Sequence, residues 1–236
     1  MDHLAIRHLW TSILDLLYPP RCVGCQEVGA WLCDDCLSRV PRVIPPFCTR
    51  CGRALLEGSA SQLCGRCRST SLPLERIRSA VYFEGVLREA IHTFKYEGVT
   101  ALAIPLASLM VEHWSRHPIS VDIIVPVPLY KHRLRRRGFN QAAHLARELS
   151  RQVRVTVDED ILVRHRPTVS QVDLSAEERR ENVRDAFSCV THGAVGKHVL
   201  LIDDVYTTGS TLGACAVALQ RGGAKSVQAL TLARAR

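Results

Sequence analysis

The apolar positions of this chain change period at recognisable points, most plainly in its last third. Val199-Leu-Leu-Ile202 is an unbroken apolar run, long enough for a strand buried on both faces in a parallel sheet and too short for a helix. Asp203 and Asp204 end the run, Thr207-Thr-Gly-Ser-Thr211 follows as a loop of small residues, and apolar residues return at helical spacing through Leu212, Val217 and Leu219. The pattern predicts strand, loop and helix N-terminus. Asp122-Ile-Ile-Val-Pro-Val-Pro-Leu129 reads as a second buried strand closed by Pro126 and Pro128, with a loop over 130–141 and a helix through Leu145 and Leu149. Residues 79–84 alternate like a strand, 85–96 and about 100–115 carry helical faces, 153–163 look like a further strand region, and 226–232 supply the strand that closes the sheet. Strands alternating with helical patterns predict an α/β domain with a parallel sheet.

Upstream the pattern differs. Residues 4–18 place Leu4, Leu9, Trp10, Ile13, Leu14, Leu17 and Tyr18 on one helical stripe that stops at Pro19 and Pro20. Such a helix docks on its own protein or, as the lesser alternative for a polar face with few basic residues, on a membrane surface. Residues 21–68 show little periodicity, so the segment could not bury enough surface to fold unaided. Composition turns to an ordinary α/β mix near Leu72 to Arg76. The expected parts are therefore a helix over 1–20, a small module over 21–72 and the α/β domain over 77–236.

Cysteine usage explains how the small module folds. Of ten cysteines, eight are paired as Cys22/Cys25, Cys33/Cys36, Cys48/Cys51 and Cys64/Cys67, each pair spaced Cys-x-x-Cys. Metal-ligand spacing in place of scattered cysteines points to two structural zinc sites and a reducing compartment, and argues against a secreted disulfide framework. Sequential pairing (Cys22, Cys25, Cys33 and Cys36; then Cys48, Cys51, Cys64 and Cys67) is favoured because the QEVGAWL connection is short; cross-braced pairing is the alternative. Cys189 and Cys215 read as small buried residues. The N-terminus lacks a basic n-region, and no apolar run reaches membrane-spanning length, so a cytoplasmic protein is expected.

Charge adds a direction. Thirty-one Lys and Arg against 23 Asp and Glu leave a net charge of +8, which favours polyanionic or phosphate-rich partners, or reflects a basic surface alone. Arg50, Arg53, Arg66 and Arg68 lie in or beside the second cysteine group, suited to nucleic acid phosphate or simply solvated. Lys131, Arg133, Arg135, Arg136 and Arg137 occupy the loop after the second strand, at the carboxyl edge where parallel sheets bind ligands. Guanidinium groups there suit pyrophosphate or a nucleic acid backbone, with a solvated run as the alternative. In the Thr207–Thr211 loop, backbone N–H groups, hydroxyls and a helix N-terminus suit a phosphate, and Gly209 permits close approach. Asp203 and Asp204 would repel phosphate and suit a ribose diol or a magnesium-bound sugar. Arg164 to Phe187, polar and broken by Pro167 before a Ser175-Ala-Glu-Glu178 capping pattern, is a candidate lid.

The apolar strand, acid pair and Thr207–Thr211 loop resemble the 5-phosphoribosyl-1-pyrophosphate (PRPP) signature of type I phosphoribosyltransferases. With Phe94-Lys-Tyr96 and Gly98, Pro126-Val-Pro-Leu129, Arg137-Gly-Phe-Asn-Gln141, the spaced set Thr168, Gln171, Leu174, Arg179, Asn182, Ala186 and Phe187, and the cysteine pairs, the chain resembles the ComF family (ComFC and GntX proteins) over nearly its full length. The resemblance implies a type I phosphoribosyltransferase-like parallel sheet with helices on both faces, a zinc ribbon beside it, and a link to uptake or use of DNA. It implies PRPP as ligand with magnesium, the basic loop around Arg133 to Gly138 as its pyrophosphate-binding loop with Arg136, Arg137 and Gly138 on the ligand, and Arg164 to Phe187 closing over it. The basic knuckles and the Arg133 to Arg137 cluster make a single-stranded DNA-binding protein gated by PRPP the alternative to an enzyme, and components of a DNA-uptake machinery are further candidate partners. The acceptor stays open.

Overall fold

The computed structural model describes residues 19–166 and 185–236. The stripe over 4–18 and most of the expected lid, with its Ser175–Glu178 cap, lie outside these residues. In chain order the elements are α1 (Asp34–Ser38), α2 (Gly65–Ser69), β1 (Arg76–Tyr82), α3 (Val86–His92), α4 (Ala103–Arg116), β2 (Ile123–Pro126), α5 (Lys131–Arg137), α6 (Gln141–Val153), β3 (Leu162–Arg164), β4 (Phe187–Cys189), β5 (His198–Tyr206), α7 (Ser210–Arg221) and β6 (Ser226–Arg234). The four long-range strands form one parallel sheet in the order β1-β6-β5-β2. As expected of an unbroken apolar run, Val199 to Ile202 are buried on both faces. Leu200 and Ile202 pack with α4 and α6 residues such as Leu106, Met110, Leu145 and Leu149. Val199 and Leu201 pack with Leu212 and Leu219 of α7 and with Phe187 of the antiparallel β3–β4 pair. Helices thus cover both faces of the sheet.

Local readings shift where tertiary pairing outweighs side-chain pattern. The run at Val199 does not end at the acids: β5 continues to Tyr206, because Asp203, Val205 and Tyr206 keep register with Thr231, Ala233 and Arg234 of β6. Backbone ladder bonds, which do not depend on an apolar side chain, carry the strand through the acid pair. The basic stretch expected as a loop is helical over Lys131–Arg137, since Lys, Arg and Leu are good helix formers, and it stops at Gly138, whose φ is +84°. The 153–163 region supplies only a bridge from Val157 to Ile124 before β3 pairs elsewhere. The last strand, expected to close the sheet, lies inside it, between β5 and β1. Residues 79–84 lose their apparent alternation in a strand that is mostly buried; Ser79 is 1% exposed and shares a 2.7 Å hydroxyl contact with Thr231.

The cysteine-rich segment is continuous with the sheet. The Val43 amide donates to the Ala80 carbonyl at 3.0 Å and the Tyr82 amide to the Pro41 carbonyl at 2.9 Å, so residues 41–43 lie antiparallel along the free edge of β1. This occupies an edge that would otherwise present unpaired backbone groups. Cys22, Leu32, Cys36 and Val40 join the same core as Leu87 and Phe94. Among the described residues no helix is long and apolar enough to cross a membrane.

Candidate functional site

The first group of cysteines, Cys22, Cys25, Cys33 and Cys36, and the second, Cys48, Cys51, Cys64 and Cys67, each bring four sulfurs within 4.8 Å of one another. The pairing is sequential. Cys25 Sγ and Cys33 Sγ are 3.6 Å apart, as are Cys51 Sγ and Cys64 Sγ. That is far beyond the about 2.05 Å of a disulfide and close to the about 3.8 Å edge of a tetrahedron with Zn–S bonds of about 2.3 Å. The donor set and spacing fit structural zinc at both sites. One thiol at each site is favoured for ionisation: burial opposes it at Cys22, but backbone donors from Cys33, Cys25 and Gly24 outweigh burial and bring it down to about 6, while its neighbours Cys25 and Cys36 are pushed up. Cys48 falls to about 6 by the same balance, with donors from Cys51, Cys64 and Arg50. The first site leaves Cys25 exposed, whereas the second is wholly buried.

At the carboxyl end of β5 the chain turns through Thr207, Thr208 and Gly209 into α7. Gly209 has a φ of +78°, and a Cβ there would lie 2.8 Å from Cε2 of Tyr206. Both the backbone conformation and the Tyr206 ring require glycine. Thr208 Oγ1 lies 2.9 Å from Ser210 Oγ and accepts from the Ser210 amide at 3.4 Å, so these two hydroxyls order the first turn of α7. Thr207 is exposed and Thr211 half-buried. Gly209→Ala is expected to destabilise the protein by about 1–3 kcal/mol, read as a lower urea midpoint with an unchanged slope; an unmoved midpoint would show that the turn relaxes without strain.

The acid pair faces two neighbourhoods. Asp204, 5% exposed, is 2.5 Å from Nζ of Lys95. Lys95 is placed by a wide π turn, Thr93–Glu97, that extends α3 and ends at Gly98 with φ +74°; such turns recur at functional sites. Asp203 acts electrostatically on Arg164 and Cys215. Desolvation, then the neighbouring Asp204 charge, push Asp203 up to about 7, while Lys95 works the other way. Cys215, fully buried, is raised well above a usual thiol for the same desolvation, which fits an inert core residue.

Beyond Lys95, the helix α5 brings its arginines to the same edge. Arg133, Arg136 and Arg137 wall a cleft of about 330 Å³ with Lys95 and Tyr96. Arg137 is anchored by Gln141 Oε1 and lies 5.4 Å from the Tyr96 ring centroid. Burial pulls its guanidinium below the usual value, and the charge of Asp204 works against that. Gly138 caps α5 and stands outside the cleft walls. Lys131, Arg135 and Arg164, with the shared Arg133 and Arg136, line a second basic cleft of about 480 Å³ with Tyr130. Asp204, Lys95 and the arginine cleft are therefore one constellation, whereas Thr208, Gly209 and Ser210 border a separate cavity of about 490 Å³ with Arg66, Pro73 and Val217.

Two participants escape a reading of composition and spacing. Lys95 stands in the Phe94-Lys-Tyr96 segment that carries the family resemblance, but no spacing assigns it a role. Arg66 reads as a ribbon-surface arginine, yet its Nη2 donates to the Thr208 carbonyl at 2.7 Å, across 142 residues of sequence. Nothing local in the sequence announces that contact.

Comparison with known proteins agrees with this geometry. Residues 13–68 match the double zinc ribbon domain and residues 101–236, more than half the chain, match the phosphoribosyl transferase domain. The fold and cysteine centres thus belong to a phosphoribosyltransferase-type domain joined to a double zinc ribbon. The DNA utilization protein YhgH of Escherichia coli O157:H7 is 35% identical over 93% of this chain and 99% of its own. Competence protein F of Haemophilus influenzae is 33% identical over 91% and 97%, and competence protein ComFC of Bacillus subtilis 29% identical over 86% and 84%. This chain belongs to the ComF family.

Proposed function

We propose that this protein binds PRPP as its magnesium complex and transfers, or senses, the phosphoribosyl group in the use of DNA taken up by the cell. The observation that carries the reading is the Lys95–Asp204 pair, which joins the acid pair at the end of β5 to the arginine cleft along α5. The 5-phosphate would accept from the loop Thr207 to Thr211, with Gly209 allowing close approach. Asp203 and Asp204 would accept from the ribose hydroxyls and oppose positive charge developing at the anomeric carbon. Arg136 and Arg137, with Lys95, would hold the pyrophosphate, while Gly138 fixes the end of their helix. An acceptor nucleophile then bonds to the anomeric carbon as the bond to pyrophosphate breaks, and the leaving oxygen keeps the electron pair. Residues 77–236 carry this chemistry and residues 21–72 the zinc. The role in DNA use rests on the names of the relatives, and thiolate-held zinc fits a cytoplasmic setting.

The deciding experiment incubates the protein with magnesium PRPP and a panel of free bases and nucleic acids and follows pyrophosphate release. Release with one acceptor would establish transfer and name the substrate. Calorimetry showing no PRPP binding at millimolar ligand would remove the reading.

A second reading is favoured by the basic cleft around Tyr130: a non-catalytic protein that grips single-stranded nucleic acid, with PRPP as a gate, and hands it to the uptake machinery. Affinity for an oligonucleotide should then fall steeply with salt, because neutralised phosphates release counterions. Arg135→Glu with Arg136→Glu is expected to weaken that binding at least about tenfold at low salt, measured by gel shift; unaltered affinity would clear this face of the role.

A further inference from the structure

Between the second zinc centre and the hydroxyl loop lies a set of contacts that the chemistry above leaves without a task. Arg66 stands between Cys64 and Cys67 on α2 and donates to the Thr208 carbonyl. Arg234, at the end of β6 and 3% exposed, donates Nη1 to the Cys51 carbonyl at 2.9 Å and lies 5.3 Å from the Tyr206 ring centroid. That ring is the one that presses on Gly209, and the Ala235 amide holds the Tyr206 carbonyl at 3.0 Å. Two routes therefore leave one metal centre and end on adjacent residues of the loop, Thr208 and Gly209.

Electrostatics gives the routes a direction. Among the described residues neither guanidinium pairs with a carboxylate. A buried cation needs a counter-charge, and a divalent ion held by four thiolates is doubly negative overall. All four cysteines of the second site are buried, so that charge is weakly screened. Geometry adds a consequence for the loop. In a trans peptide the carbonyl and the next N–H point opposite ways, so pinning the Thr208 carbonyl toward Arg66 turns the Gly209 N–H away from the ribbon.

We propose that Arg66 and Arg234 are positioning residues that couple the Cys48, Cys51, Cys64 and Cys67 zinc centre to the sugar-phosphate loop, so that a loaded second ribbon is part of the PRPP site. The proposal takes its ligand from the reading above, but the coupling can be measured without it. Hydrogen exchange of the peptide covering Val205 to Gly213 is compared in the zinc-loaded wild type, Arg66→Gln, Arg66→Lys and Cys64→Ser, with Cys25→Ser as a control at the first site. Loss of a charged hydrogen bond at Thr208 should speed exchange about tenfold in Arg66→Gln, with two zinc ions still bound and the exchange of β2 unchanged. Arg66→Lys should restore part of the protection, Cys64→Ser should lose it, and Cys25→Ser should keep it. Exchange of the loop that is the same in Arg66→Gln as in wild type overturns the coupling, whether or not Cys64→Ser folds. Calorimetry with magnesium PRPP is the second arm: Arg66→Gln should bind about tenfold more weakly than wild type. A wild type that binds no PRPP, while Arg66→Gln still loosens the loop, removes the ligand and leaves the coupling standing; equal affinity of both proteins for PRPP overturns the second ribbon's part in the PRPP site.

Discussion

Replacing Asp203 and Asp204 together by asparagine is expected to lower the affinity for magnesium PRPP by at least about 100-fold, since each charge-assisted hydrogen bond is worth roughly 1.5–3 kcal/mol. Size and shape are kept, but Lys95 loses its buried partner, so melting should fall and affinities are compared well below that transition, where both proteins are folded. The two single variants separate the roles. Asp204→Asn leaves Lys95, whose side chain is 19% exposed, without its partner, and should weaken binding at every pH. Asp203→Asn removes a carboxyl pushed up to about 7 by desolvation and by Asp204, and should instead flatten a pH dependence. In the folded, ligand-free protein Asp203 holds a proton that the unfolded chain releases near the ordinary value of 3.8. The native state therefore binds more protons between those values, and this group's contribution to stability falls as pH rises from about 4 to about 7. Binding runs the other way: a sugar diol or a cation needs the ionised carboxyl, so affinity should climb from pH 6 to 8 and level off above. Calorimetric titrations of wild type and Asp203→Asn across that range check it. Two identical profiles would sink the assignment of Asp203, and undiminished affinity in the double variant would sink the site.

How much of this was legible follows the range of the forces involved. The unbroken run at Val199 announces its strand because burial on both faces needs only local sequence, and four Cys-x-x-Cys pairs announce two metal centres because ligand spacing is local chemistry. The turn after β5 is readable for the same reason, although it is shorter than the pattern suggests, since Ser210 and Thr211 already belong to α7. The continuation of β5 through Asp203 and Asp204 is not, since it depends on backbone pairing with Thr231, Ala233 and Arg234. Lys95 is hidden in a helical pattern, and only folding brings its ammonium to Asp204. The interior place of β6 is a property of strand order, which no single segment encodes. Arg66 and Arg234 are the extreme case: their partners Thr208 and Cys51 stand 142 and 183 positions away. Local pattern thus located the chemical groups, and tertiary contact decided which of them meet.

Loss of zinc from the second centre is expected to be the most damaging change in the molecule. Binding of a structural zinc ion is worth about 10–16 kcal/mol in small zinc-finger peptides, and here the ribbon has little core of its own: its cluster is the four cysteines packed by Leu55, Leu63 and Leu72. Removing the thiolate charge also strands the nearby cations. Arg234 is 3% exposed and Arg78 9% exposed; Arg78 donates to the Ile77 carbonyl at 2.9 Å and lies 4.8 Å from the Phe47 ring centroid. Desolvation already pulls Arg78 below its usual value, while Cys48 and Cys51 hold it up. Leaving a buried charge without its partner costs about 3–5 kcal/mol, which for a chain of this size lowers melting by roughly 10 °C or more. Cys48→Ser should show that drop in calorimetry, together with the loss of one zinc ion per chain. Cys25→Ser, at the exposed corner of the first site and away from the buried arginines, should lose its zinc with a smaller drop. If the two variants melt alike, the arginines contribute nothing to the difference; if Cys48→Ser melts as the wild type does, the second ribbon is not held by metal.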